Sequence, residues 1–244
     1  MKRLLWLVAF CGLTACASSK TAEEIEPTPE EQYLKGYHAF QDKEFDIAVE
    51  AFDALEQNFP YSEWAERAQI MMAYTQYLEN KYAEALLTLE RFIQLHPGNK
   101  NTPYALYLKG LCYFEQMSDI TREQDMTANA GQAFQELVAR YPTSKYRPDA
   151  EAKLVSIKNH LAGKEVDVGR YYQKHEDYVA AMNRFQQVLK NYPETNQVPE
   201  AYYRLIACYW ALGMKDQAKK VAKTLSKQHK KSDWTKKALQ LVKD

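Results

Sequence analysis

The side chains able to attack a substrate, bind a metal or carry protons are 4 cysteines, 5 histidines and 32 carboxylates in 244 residues. Cys16 has the most distinctive setting, directly after Leu13, Thr14 and Ala15. A thiol there is a nucleophile for lipid attachment, and the small residues before it let a peptidase cut the chain. Cys112 and Cys208 lie on apolar helical stretches, where a buried free thiol is ordinary, and the helices between them keep them too far apart for a disulfide. His38, His96, His160, His175 and His229 show no His-Glu-x-x-His or other ligand spacing. His175-Glu176-Asp177 is locally suggestive, but it precedes a helix, where a polar turn belongs. Gly163-Lys164-Glu165 lacks the glycine-rich approach and the hydroxyl of a phosphate loop, and no Gly-x-Ser-x-Gly elbow occurs. Acidic residues are plentiful but form no recognisable catalytic pair. These residues point to binding rather than catalysis, with no metal and no cofactor beyond lipid.

The chain's beginning bears on Cys16. Lys2 and Arg3 precede an apolar run, Leu4 to Leu13, too short for a bilayer span of about 20 residues but right for a signal segment. Leu13-Thr14-Ala15-Cys16 matches the bacterial lipobox. That match implies a signal peptide over 1–15 and diacylglyceryl and acyl (palmitate-type) lipid on Cys16. Ala17 and Ser18 follow, with no aspartate, which in the lipoprotein sorting pattern implies the periplasmic leaflet of a Gram-negative outer membrane. Residues 16–29 are then the lipidated cysteine and a small, polar, flexible tether. Removing Lys2 and Arg3 from 32 basic residues leaves 30 against 32 acidic ones, which gives no reason to expect nucleic acid.

The rest of the chain is built from a recurring phrase. Phe45-x-x-Ala48-x-x-x-Phe52-x-x-Leu55 runs on to Pro60, and Tyr82-x-x-Ala85-x-x-x-Leu89-x-x-Phe92 to Pro97. The spacing returns from Ala130 to Pro142 and from Ala181 to Pro193, always 12 residues from alanine to proline. Positions i, i+3, i+7 and i+10 share one helical face, the alanine admits a crossing helix, and the proline stops the helix. A second helical stretch precedes each phrase: Glu30–Asp42, Glu63–Asn80, Pro103–Gln116 and Arg147–Lys174. A fifth pair follows, Pro199–Leu212 and Gln217–His229, turning at Gly213. The first two prolines lie 37 residues apart, near the tetratricopeptide period of about 34. The expectation is an all-α solenoid of about five tetratricopeptide-like helix pairs over residues 30–244.

Departures from the period are informative. The later prolines are 45 and 51 residues apart. The first excess fits an inserted loop around Ser118–Thr127, the second a long first helix interrupted at Gly163. Charge is also polarised. The tether and first helix carry Glu23, Glu24, Glu26, Glu30 and Glu31, whereas nine lysines lie between Lys215 and Lys237. A solvated capping face explains those lysines, with docking to an acidic surface as a secondary role.

First helices line the inner surface of such a stack. Aligning Gly36, Ala73 and Gly110 at the helix crossing puts Tyr33, Tyr37, Phe40, Ile70, Tyr74, Tyr77, Tyr104, Tyr107, Leu111 and Phe114 there. Arg67 and Lys109 are interspersed, and Tyr61 and Trp64 lie at the same end. An aromatic groove of this kind suits an extended peptide with aromatic side chains; packing between helices is the competing role for each ring.

Several local phrases are more specific than the repeat. They are Pro60-Tyr61-Ser62, Arg91-Phe92-Ile93, Tyr104-Ala105-Leu106-Tyr107-Leu108-Lys109-Gly110, Tyr141-Pro142-x-Ser144-x-Tyr146 and Val168-Gly169-Arg170-Tyr171-Tyr172. With the lipobox and tether, they resemble the BamD family, lipoprotein subunits of the outer-membrane β-barrel assembly (BAM) machinery. The resemblance implies a non-catalytic protein. Its N-terminal half, about 30–142, would bind C-terminal targeting strands of unfolded outer-membrane β-barrel proteins. Its C-terminal half, about 143–244, would dock on the POTRA domains of BamA, with Arg170, Tyr171, Tyr203, Arg204 and Trp210 near the contact. Other BAM lipoproteins are further implied partners. The alternative is another envelope tetratricopeptide lipoprotein, a scaffold in peptidoglycan synthesis or secretion.

Overall fold

A computed structural model describes residues 27–243; the signal segment, Cys16 and most of the tether lie outside the described residues. Five helix pairs follow one another: α1 (Pro29–Gln41) with α2 (Phe45–Asn58), α3 (Glu63–Leu78) with α4 (Tyr82–Leu95), and α5 (Thr102–Glu115) with α6 (Asp125–Arg140). Then come α7 (Arg147–Lys174) with α8 (Tyr178–Asn191) and α9 (Val198–Ala211) with α10 (Lys215–Gln228). A last helix, α11 (Asp233–Leu241), packs on α9 and α10 and closes the stack. Each helix touches the next in sequence, and first helices also touch across pairs, α1 with α3, α3 with α5, α7 with α9 and α9 with α11. The first helices therefore form the inner layer of a curved tetratricopeptide-like solenoid.

Side-chain size explains how each pair closes. A Cβ added at Gly36, Gly110 or Gly169 would come within 3 Å of the ring of Phe52, Phe134 or Phe185. The glycine is there because the second helix brings a phenyl ring against the backbone of the first. In the second pair the same two positions are Ala73 and Leu89, and in the fifth Ile206 and Ala222, all buried. Large opposite small is kept while the partners trade sizes, as close packing demands. Turns between paired helices carry one left-handed residue: Lys43, Asn80, Glu176 and Gly213. The His175-Glu176-Asp177 triplet is such a turn, and Asp177 caps α8 by accepting from the Ala180 amide at 3.1 Å.

Two sequence expectations change. Helix α7 runs unbroken through Gly163, and the residues expected to be an inserted loop pack against it there. The loop before α6 lies against α7, with Lys164 Nζ donating to the Thr121 carbonyl at 3.0 Å and Ile120 beside Gly163. The long helix and the inserted loop are thus one feature. Second, the chain does not finish at α10. The Ser232-capped α11 was hidden in a lysine-rich segment read as a solvated end.

Candidate functional site

Tyrosines and phenylalanines of the inner helices form a nearly continuous belt. Trp64 lies 5.1 Å from Tyr33 between ring centroids, Tyr33 6.3 Å from Tyr37, and Tyr37 6.4 Å from Phe40. Phe40 then meets Tyr74 at 5.9 Å, Tyr74 meets Tyr104 at 6.5 Å, and Tyr104 meets Tyr146 at 5.3 Å. Tyr107 closes the series against Tyr146 at 5.0 Å. The belt crosses α1, α3 and α5 and reaches the residue preceding α7. Each of its rings is half-buried. Arg67 sits 4.6 Å over Trp64, placing a cation at the belt's first end.

Burial shifts four of the groove phenols upward. It raises Tyr33, an effect countered by nearby Arg67. It pushes Tyr77 up to about 12, reinforced by Glu115. Tyr104 and Tyr107 are raised well above the tyrosine range, first by burial and, for Tyr107, by its 2.6 Å hydrogen bond to Asp149. These hydroxyls remain hydrogen-bond donors at any physiological pH.

Not every residue expected in the groove joins the belt. Tyr61 is fully exposed at the turn after α2, with no ring partner. Phe114 turns inward against Phe134 at 6.4 Å in the core of the third pair. Lys109 faces the other way, ion-paired to Glu90 of α4 at 2.9 Å. Tyr77 packs beside Tyr82 rather than along the belt. One member was missed from the candidate set, Tyr146. It stands four residues after the helix-stopping Pro142, as Trp64 does after Pro60, so repeat alignment could have found it.

The C-terminal candidates divide differently. Arg170 donates through Nε and Nη2 to the two carboxylate oxygens of Glu200 at 2.8 and 2.6 Å. Arg204 donates to Glu200 at 2.5 Å and to Gln173 Oε1 at 2.9 Å. Glu200 is only 6% exposed. Burial alone would raise its pKa, but hydrogen bonds from Arg170 and Arg204 outweigh it and leave Glu200 below the usual carboxylate range. Both arginines therefore hold the structure together, whatever else they contact. Tyr203 stacks near Trp234 of α11 at 5.2 Å, with Arg204 on the same indole. Tyr171, 60% exposed, leans on His175, and Trp210 carries Lys215 at 4.8 Å.

Comparison with known proteins places the chain among relatives. A family model described as an outer membrane lipoprotein, YfiO, covers residues 26–225. The outer membrane protein assembly factor BamD of Caulobacter vibrioides is 36% identical over 99% of this chain and 79% of its own. That of Rickettsia prowazekii is 35% identical over 100% of this chain and 98% of its own. Among solved structures, the P58(IPK) TPR domain superposes with a TM-score of 0.46 at 13% identity, covering 88% of this chain and 66% of that one. By these matches the chain belongs to the YfiO/BamD family of outer membrane lipoproteins.

Proposed function

We propose that this lipoprotein receives the C-terminal strands of unfolded outer-membrane β-barrel proteins on its aromatic belt and docks on the POTRA domains of BamA through its C-terminal pairs. The belt is the observation that carries this reading. Seven half-buried rings in contact, from Tyr33 to Tyr107 by way of Phe40, Tyr74 and Tyr146, run along three inner helices with part of each ring exposed. A strand ending in an aromatic residue can lay that ring against them. The hydroxyls of Tyr33 and Tyr104 can donate to its backbone carbonyls, and Arg67, beside Trp64 and sharing its charge with Glu63 at 3.2 Å, offers a cation for its terminal carboxylate. Half-exposed rings give modest affinity, which suits a carrier that must release its cargo. The lipid expected on Cys16 would hold the solenoid near the barrel-forming subunit and raise its local concentration there.

Docking is supported by the second cluster. Exposed Tyr171 and partly exposed Tyr203 and Trp210 border a region stiffened by the Arg170–Glu200–Arg204 network. A rigid surface loses little entropy on binding. The direct test is fluorescence anisotropy with a labelled β-strand peptide ending in phenylalanine, against the same peptide ending in aspartate. Capture of the first only is expected; equal binding of both would refute recognition of an aromatic end. Calorimetry with a soluble POTRA array should give a dissociation constant of about 10 μM or tighter. No heat from folded protein would remove the docking half.

A further inference from the structure

We infer that the α10–α11 end is a second membrane contact, a lysine face that seats on anionic phospholipid headgroups. The inference rests on membership of the outer membrane lipoproteins and adds a site remote from Cys16 in the sequence.

Charge at this end is one-sided. Nine lysines lie between Lys215 and Lys237, with Asp216 and Asp233 the only carboxylates in that stretch and no arginine after Arg204. Among the described residues, Lys236 alone of the nine forms an ion pair, with Asp233 at 2.7 Å. Burying Ala218, Ala222 and Leu225 turns the opposite side of α10 outward, where Lys219, Lys223 and Lys227 fall on one row with Lys220 beside them. A capping helix needs a polar outer face, but mixed charges would serve equally well, and this face is almost purely cationic.

Chemistry favours lipid over an acidic protein. Lysine is a compact point charge on a flexible stem, suited to a diffuse layer of phosphates; shaped carboxylate sites favour the fork of arginine. Apolar residues stand beside the charges. Leu212 and Met214, 42% and 44% exposed, flank Gly213 at the α9–α10 turn, next to Trp210 with Lys215 over its ring. Basic side chains bordering an exposed aliphatic tip and an indole make the composition of an interfacial segment, in which the tip enters the headgroup boundary and lysine stems extend to the phosphates. Such a contact fixes the orientation of the solenoid, which one flexible tether cannot.

The test uses the mature chain from Ala17, without lipid, mixed with vesicles of neutral phosphatidylcholine or of the same lipid with about 30 mol % phosphatidylglycerol. Sedimentation should show partition into anionic vesicles only, abolished by high salt. Replacing Lys219, Lys220, Lys223 and Lys227 by glutamine should lower partition by at least 50-fold, since each seated lysine contributes about fivefold. Leu212→Ser with Met214→Ser should lower it several-fold at unchanged charge. Equal binding to both vesicle types, retention by the four-glutamine chain, or no binding to anionic vesicles would each overturn the inference. The last result, with a weaker POTRA complex for the same variant, would assign the lysines to an acidic protein instead. Salt dependence is read on the unaltered chain, so the test stands even if a variant folds poorly. Peptide capture is read separately, so failure here leaves the aromatic belt untouched.

Discussion

The inner faces of the first three pairs and of the fourth use the same helical positions for opposite chemistry. One residue after the crossing stand Tyr37 and Tyr74, but Arg170 in the fourth pair. Four residues after it stands Phe40 in the first pair, but Gln173 in the fourth. Beneath these faces the packing is the same, glycine against phenylalanine in the first, third and fourth pairs. A repeat fold thus separates two tasks: core positions keep the helices stacked, and the face above them is free to change. In the N-terminal half that face is a belt of neutral rings. In the C-terminal half it is an ionic network closed around buried Glu200.

The largest effect expected from breaking this contrast is on the ionic side. Arg204→Glu places a carboxylate against buried Glu200 and should cost about 3–5 kcal/mol, seen as a lowered denaturation midpoint. The comparable change in the belt, Tyr74→Ala, leaves no charge stranded and should cost less. Next come the shared cores. Gly110→Ala and Gly169→Ala should each lose about 1–3 kcal/mol, because the new Cβ meets a phenyl ring. Combining Gly110→Ala with Phe134→Leu recreates the Ala73–Leu89 pairing of the second pair and should recover most of that loss. Unequal costs for the two glycines would mean the halves differ in their cores as well as their faces.

Acid should then separate the halves more gently. The folded pKa of Glu200 lies below its ordinary value of 4.5, so its contribution is complete above that value and fades as pH falls through the lowered one. Thermal melts of Glu200→Gln should show a flatter acid limb than the unaltered chain. Thiol reactivity offers the finest comparison. Burial pushes Cys112 up to about 12 and, despite Arg204, Cys208 up to about 11. Both should resist maleimide at about pH 8 until the chain opens, and the thiol that reacts first marks the half that opens first.

The arrangement of helix pairs was readable from alanine, proline and glycine, because those residues mark where helices cross, stop and approach. The belt was readable in part. Positions along α1, α3 and α5 follow from the period, but whether a ring turns outward, like Tyr37, or inward, like Phe114, depends on the neighbouring pair. Glu200 and Arg204 stand four apart on α9 and can be paired locally, but Arg170 joins them from α7, 30 residues before Glu200, and nothing local in the sequence supplies it. Helix α11 was obscured because its lysines and single indole read as a solvated tail. The unbroken α7 was misjudged at Gly163, which sits beside Ile120 of the inserted loop without breaking the helix.

The central claim is that the belt is the surface that receives an aromatic-ended strand. Its most direct test is the affinity of a phenylalanine-ended strand peptide for three chains: unaltered, Tyr37→Ala with Tyr74→Ala, and Tyr171→Ala. The account predicts at least a tenfold loss for the double variant, with helical content retained, and no change for Tyr171→Ala. Unchanged affinity in the double variant, or an equal loss in both, would contradict it.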